Sequence, residues 1–280
     1  MLQFVMLPFT VSRRTWLSAP TLWVTATVAW FGLAGVGAGD EPPRETGNES
    51  REKLDRFVKG YQLFHGADRV PLEMQAEPVL RWPNSTRDTQ EGATFVWTRN
   101  GRPEAIACVW ENGGLWAHAF HSLSDSRLVA RHKTQTFWQT EKPGLEFNRF
   151  PDAPEPADSA VQRLAQMKDL ARRFKCRLAD VNRKSEELRL LPRPLYRYKT
   201  ERKDLGDGAL FAFVQGTDPE VVLVLEAARH DGKSEWRYAL TRRTGYAVEA
   251  DLDGKPNWSV PGSNGGTGAP WFVGTLGSLN

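Results

Sequence analysis

Residues 78–109 align on residues 194–225 without a gap, at a constant offset of 116. Eight positions are identical: Pro78/Pro194, Arg81/Arg197, Asp88/Asp204, Gly92/Gly208, Ala93/Ala209, Phe95/Phe211, Pro103/Pro219 and Glu104/Glu220. Unrelated stretches of that length share roughly two. Four more residues in the second copy bring Trp116 onto Trp236 and Trp138 onto Trp258. A chain written twice must form one supersecondary unit twice, which constrains its architecture more than any motif in it.

The N-terminus has the form of an export signal. Arg13 and Arg14 precede an uncharged apolar run from Leu17 to Val36, and Val36-Gly37-Ala38 supplies the small residues of a cleavage site. The run is also near the shortest length that spans a bilayer, so cleavage near Ala38 and a retained anchor are both expectations. Either leaves the remainder outside the cytoplasm: periplasmic, cell-surface or secreted. Ser12-Arg13-Arg14-Thr15-Trp16-Leu17 resembles the twin-arginine export pattern, with Trp16 where Phe is usual; an ordinary secretory signal accounts for the same residues.

Without Arg13 and Arg14 the chain carries 35 basic against 34 acidic residues, a net charge of +1. A near-neutral body lacks the electrostatic footprint of a nucleic-acid binder. Two cysteines, Cys108 and Cys176, are too few for a disulfide framework or a cysteine zinc site. In an oxidising compartment they allow one bond.

Residues 40–49 are polar and Pro-rich, a disordered linker by composition. Leu54, Phe57, Val58, Tyr61 and Phe64 recur at helical spacing. A second helix follows Pro154 and Pro156, with Ser159 and Gln162 as a capping box. Its expected core stripe is Val161, Leu164, Met167, Leu170, Ala171, Phe174 and Leu178. Strands are expected at Pro78–Trp82, Ala93–Thr98, Ala105–Val109, Leu115–Leu123 and Leu128–His132. In the second copy they fall at Pro194–Tyr198, Ala209–Val214, Val221–Ala227, Trp236–Arg242 and Tyr246–Leu252. Asn100-Gly101 marks a tight hairpin, and the unbroken Val221–Leu225 run marks a strand buried on both faces.

The fold class is therefore α+β. A duplicated helix-plus-antiparallel-meander unit (copies 50–142 and 157–261) is expected to form one pseudo-twofold sheet with two helices packed on it. Two sheets packed together are the alternative. Residues 262–280 read as a flexible Gly-rich tail, whose Trp271-Phe272-Val273 either docks back or is offered as a sticky peptide.

The blocks Gly92–Glu104 and Asp207–Glu220, with His121-Ser122-Leu123 and Arg193–Tyr198, resemble a family of uncharacterised exported proteins from environmental bacteria. The resemblance covers most of residues 70–260. It implies a location and no catalytic residue.

The repeat also sorts candidate sites, since residues present in one copy alone are freer to serve a function. Glu104 and Glu220 occur in both; they suit turn chemistry with a salt bridge to Arg81 or Arg197, or acid/base work at the twofold. His118 faces the same way as Trp116 and Phe120 and reads as a packing residue. His121 lies on the other face and is the better exposed candidate base. Three-residue spacing on a strand makes the two a poor chelating pair, so no metal or cofactor is expected. No nucleophile elbow, phosphate loop or zinc motif occurs. Trp82 and Trp97 have aromatic counterparts, whereas Trp110 aligns with Glu226 and is the candidate ligand-facing residue. Taken together these residues describe an exported binding or scaffold protein for a small molecule, polysaccharide or surface protein. Two alternatives stand beside it, a hydrolase built on His118 or His121 with Glu104 or Glu220, and a subunit of a cell-surface assembly.

Overall fold

Alternation of apolar and polar residues governs most of the chain in the computed structural model, which describes residues 47–84, 89–112, 114–179, 185–200, 205–230 and 232–278. The export signal, most of the 40–49 linker, and Asp88 and Asp204 lie outside the described residues. The chain opens with helix α1 (Gly47–Val58), followed by β1 (Tyr61–His65), β2 (Val70–Pro71), β3 (Glu73–Met74), β4 (Leu80–Asn84), β5 (Thr89–Arg99), β6 (Arg102–Asn112), β7 (Leu115–Ser122), β8 (Leu128–His132) and β9 (Gln135–Gln139). After β10 (Asn148–Arg149) come α2 (Ala160–Arg172), β11 (Phe174–Ala179), β12 (Ser185–Glu187), β13 (Arg189–Leu190), β14 (Tyr196–Tyr198), β15 (Leu205–Gln215), β16 (Asp218–His230), β17 (Lys233–Arg242), β18 (Ala247–Leu252), β19 (Lys255–Val260) and β20 (Trp271–Ser278).

Strand pairing among the named strands is antiparallel, so the fold is mixed α+β with sheets dominant. Instead of one continuous sheet there are four among the described residues. Two have four strands, ordered β2-β1-β8-β9 and β12-β11-β18-β19. Two have six: β20-β7-β6-β5-β3 with β4 also on β5, and β10-β17-β16-β15-β13 with β14 also on β15. A strongly twisted antiparallel meander buries more apolar surface by splitting into packed layers than by extending flat.

Each smaller sheet and its helix cover one face of a larger sheet. In the first half, Leu54 and Val58 of α1 meet Tyr61, Phe95, Trp97, Phe120, Leu128 and Trp138. In the second, Met167 and Leu170 of α2 meet Phe174, Phe211, Leu223, Trp236, Tyr238 and Val248. The opposite faces of the larger sheets share a third core, in which Val96 and Ile106 join Leu210, Ala212, Val222 and Val224. Val221–Leu225 is thus buried on both faces.

Local chemistry explains the turns and ends. Asn100 (φ 50°) and Gly101 (φ 79°) close the β5–β6 hairpin in the left-handed conformation expected of Asn-Gly. Ser159 caps α2, accepting from the Gln162 N–H at 3.2 Å. Both helices end earlier than their apolar spacing suggests. Phe174 and Leu178 lie on β11, and Tyr61 and Phe64 lie on β1, because Phe-Lys-Cys-Arg-Leu alternates at period two while its first residue also fits the helical stripe. Val161, expected in that stripe, is 78% exposed.

The C-terminal tail, read from sequence as flexible, contains a paired strand over Trp271–Ser278. β20 pairs with β7, placing Gly274 opposite His118 and Val273 opposite Ala119, and Trp271 is buried with its indole donating to the Ser263 carbonyl at 2.9 Å. Unpaired backbone at the β7 edge and a large apolar side chain are satisfied together.

Candidate functional site

Trp82 of β4 packs across Gly92 of β5, where a Cβ would fall 2.7 Å from the indole. Gly92 therefore lets the ring lie flat on the sheet, and its Nε1–H donates to Thr94 at 3.2 Å. Trp110 of β6 stands beside it, ring centroids 6.2 Å apart. Trp82, buried Cys108 and Ala119 form a small cluster with Trp271, and half-exposed Trp110 and Val273 pack on its rim.

These residues make one wall of a cavity of about 700 Å³. The other wall comes from the second half, through Asp218, Arg243–Ala247, Gly262 and Asn264. Arg243 is almost fully buried. Its guanidinium donates to the backbone carbonyls of Ile106 at 3.3 Å and Ala119 at 2.6 Å and lies 5.7 Å over the Trp271 ring, while its Nε has no hydrogen-bond partner. The cavity thus offers flat aromatic surface on one side and buried charge and amides on the other, the composition of a small-molecule site.

The corresponding position on the other large sheet is filled. Tyr198 of β14 packs across Gly208 of β15, where a Cβ would collide with its ring. Its hydroxyl donates to Glu226 of β16 at 2.7 Å. Glu226 also receives Arg102 at 2.9 Å and Arg237 at 2.8 Å, and Arg237 lies 4.3 Å over Phe147. Burial opposes the Arg102 charge, but Glu226, ahead of Tyr198 and Glu104, outweighs it and holds the guanidinium above its ordinary value.

The expected site residues are dispersed. His118 is completely buried, bonded to the Tyr61 hydroxyl at 2.7 Å and ringed by Phe120, Phe137 and Phe272. Burial, then nearby His132, lowers its pKa to about 3. His121 is not the exposed residue its strand position suggested. It is 6% exposed because Trp271 of β20 covers that face, and its Nδ1–H donates to the Ser122 carbonyl at 2.8 Å. Burial foremost, with Arg243 and Arg242, lowers its pKa to about 3 against the pull of that hydrogen bond. Neither of these bonds is to a carboxylate.

Glu104 and Glu220 are both buried. Glu104 does not reach Arg81, which pairs instead with Asp55 at 2.7 Å and Glu91 at 3.3 Å. Its neighbours are Arg102 at 3.4 Å, Arg99 at 4.0 Å and His65 at 4.0 Å. Arg197 pairs with Asp207 at 2.7 Å. Cys108 and Cys176 are both free and buried, in separate clusters on β6 and β11, so they form no disulfide. Cys176 points inward as an alternate residue of strand β11. Burial raises both thiols, which disfavours the reactive thiolate. Of the expected residues, Trp110 and Cys108 line the large cavity, and Trp110 is the half-exposed one.

Sequence reasoning missed Arg243 and His65. Arg243 aligns with the core residue Leu123, and that mismatch in the alignment was the available signal. Comparison with protein-family models, with curated proteins and with solved structures finds no match.

Proposed function

We propose that this chain is an exported, internally duplicated binding protein that holds a small molecule, flat and apolar at one end and polar at the other, in the cavity between Trp82, Trp110 and Arg243. One observation carries the reading. The two halves share strand order and register, with Trp82 opposite Gly92 and Tyr198 opposite Gly208, but one position is plugged and the other open. Where the second half places Tyr198, Glu226 and Arg237 around Arg102, the first places Trp82, Trp110 and Ala117, with Asp218 in the position of Arg102. An end with neither that ion network nor side chains filling its place is a cavity that packing alone does not favour. Its residues are those a flat ligand uses: a half-exposed indole for stacking, and Asn112, Asn264, Asp218 and Arg243 for a polar end.

Export is supported by Arg13-Arg14, the Leu17–Val36 run and the small residues ending at Ala38. A hydrolase draws no support from His118 or His121, whose bonds go to a tyrosine and a backbone carbonyl. Among the described residues the large exposed apolar side chains are Val70, Leu115, Val161 and Tyr246, on separate segments of the chain.

The test is a fluorescence titration with anilinonaphthalene sulfonate, a flat aromatic anion of suitable size. Saturable one-to-one binding is expected, weakened about tenfold (~1.4 kcal/mol) by Trp110→Ala. Equal affinity in the variant would place the probe elsewhere and remove the proposal's support.

A further inference from the structure

We infer that His65, Glu104 and Asp125 form a binding site for a first-row divalent metal ion, with zinc the best match to the donors. The site is separate from the Trp110 cavity and does not rest on the reading given to it. His65 ends β1, Glu104 lies near the start of β6, and Asp125 sits in the β7–β8 connection. Backbone pairing holds the first two in place: His65 lies opposite Leu128, and the Glu104 carbonyl accepts from the Leu123 N–H at 2.8 Å. The imidazole Nε2 is 4.0 Å from Glu104 Oε2 and 3.8 Å from Asp125 Oδ1, and one donor atom from each residue lies within 4.8 Å of the others.

A second observation points to a ligand. His65 Nε2 and Glu104 Oε2 are both buried without a hydrogen-bond partner, and they face each other. Native interiors rarely leave such atoms unbonded, and a cation between them would satisfy both. Glu104 is 1% exposed, so solvent does not serve its carboxylate. Arg102 at 3.4 Å and Arg99 at 4.0 Å both approach the other oxygen, Oε1. This orients the carboxylate with Oε2 toward His65, as outer-shell partners of metal ligands do. The same arginines oppose a bound cation, although Arg102 is shared with Glu226 at 2.9 Å; a modest affinity follows.

One imidazole and two carboxylates are too few oxygens for calcium, and a nitrogen donor disfavours magnesium. The set suits zinc, manganese or iron. Tetrahedral zinc would draw the donors to about 3.3 Å from one another; both distances to His65 then shorten by under 1 Å, and Asp125, 59% exposed at its side chain, can swing toward the other two. Its exposure also leaves room for a water at the fourth position. The aligned positions of the second copy hold Leu178, Glu220 and Gly245, so the triad exists once.

The experiment is calorimetric titration of the chelator-treated protein with zinc chloride, with cobalt(II) absorption as a signature of coordination. One zinc per chain is expected, together with cobalt bands in the visible. Asp125→Asn, at the surface, is expected to weaken zinc at least tenfold with an unchanged far-UV circular dichroism spectrum; His65→Gln is expected to abolish the cobalt bands. Absence of zinc heat and cobalt bands in the wild-type protein would overturn the inference, as would undiminished binding in both variants.

Discussion

Two buried histidines set the acid response at the residue scale. His118 and His121 each have a pKa near 3 in the fold, against an ordinary 6.5, chiefly because burial disfavours the charged ring. The unfolded chain therefore binds protons that the folded one refuses. Their contribution is whole above about pH 6.5 and is lost as pH falls from there toward 3. The urea midpoint should drop between pH 7 and pH 4, and His118→Gln should flatten that slope; an unaltered slope would mean that His118 titrates alike in both states. The Glu226 network makes a second prediction. Glu226→Leu leaves Arg102 and Arg237 facing each other without their shared carboxylate, and a loss of about 3–5 kcal/mol is expected by denaturant titration. Gly92→Ala should cost about 1–3 kcal/mol by the same measurement, since its methyl meets a buried indole. The burial of His118 was legible from its aromatic neighbours on β7. That of His121 was not, since its cover, Trp271, lies 150 residues away in sequence.

Elements with a single consistent period were legible. The strands β5 to β8 and β15 to β18 stand where alternation and the Asn-Gly turn put them. Helix ends were not, because Phe174 fits both the α2 stripe and the first inward position of β11, and only the pairing of β11 with β18 decides between them. β20 was also hidden. Its Gly274 and Gly277 read as a flexible tail, yet β7 offers an edge for them to complete. Removal of residues 262–280 should therefore strip the cover from His121 and Trp138, whose indole donates to the Ala269 carbonyl at 3.0 Å. A fall in Tm of several degrees or more is expected by calorimetry, with faster hydrogen exchange along β7. An unchanged Tm would show that the strand adds nothing.

For the whole molecule, the 116-residue offset spoke to composition by halves but not to layering. Four sheets arise because each larger sheet has two apolar faces, one for its own helix and small sheet and one for the other half. β10 and β20 tie the halves further, each following one set of strands and pairing with the other. The shared interface then has two ends of unequal character, one closed by Arg102 and Glu226 and one opening onto Trp110. The sequence held half of that contrast, in the alignment of Trp110 with Glu226. The other half needed Arg243 and Asp218, which come from distant turns and strand ends.

The most direct test of this account is a crystal structure of the protein soaked with anilinonaphthalene sulfonate. Aromatic density stacked on Trp110, with its sulfonate toward Arg243 or Asn264, is the predicted result. An empty cavity at saturating probe, or a Trp110 side chain collapsed across it, would contradict the claim that this end of the interface is kept open for a ligand.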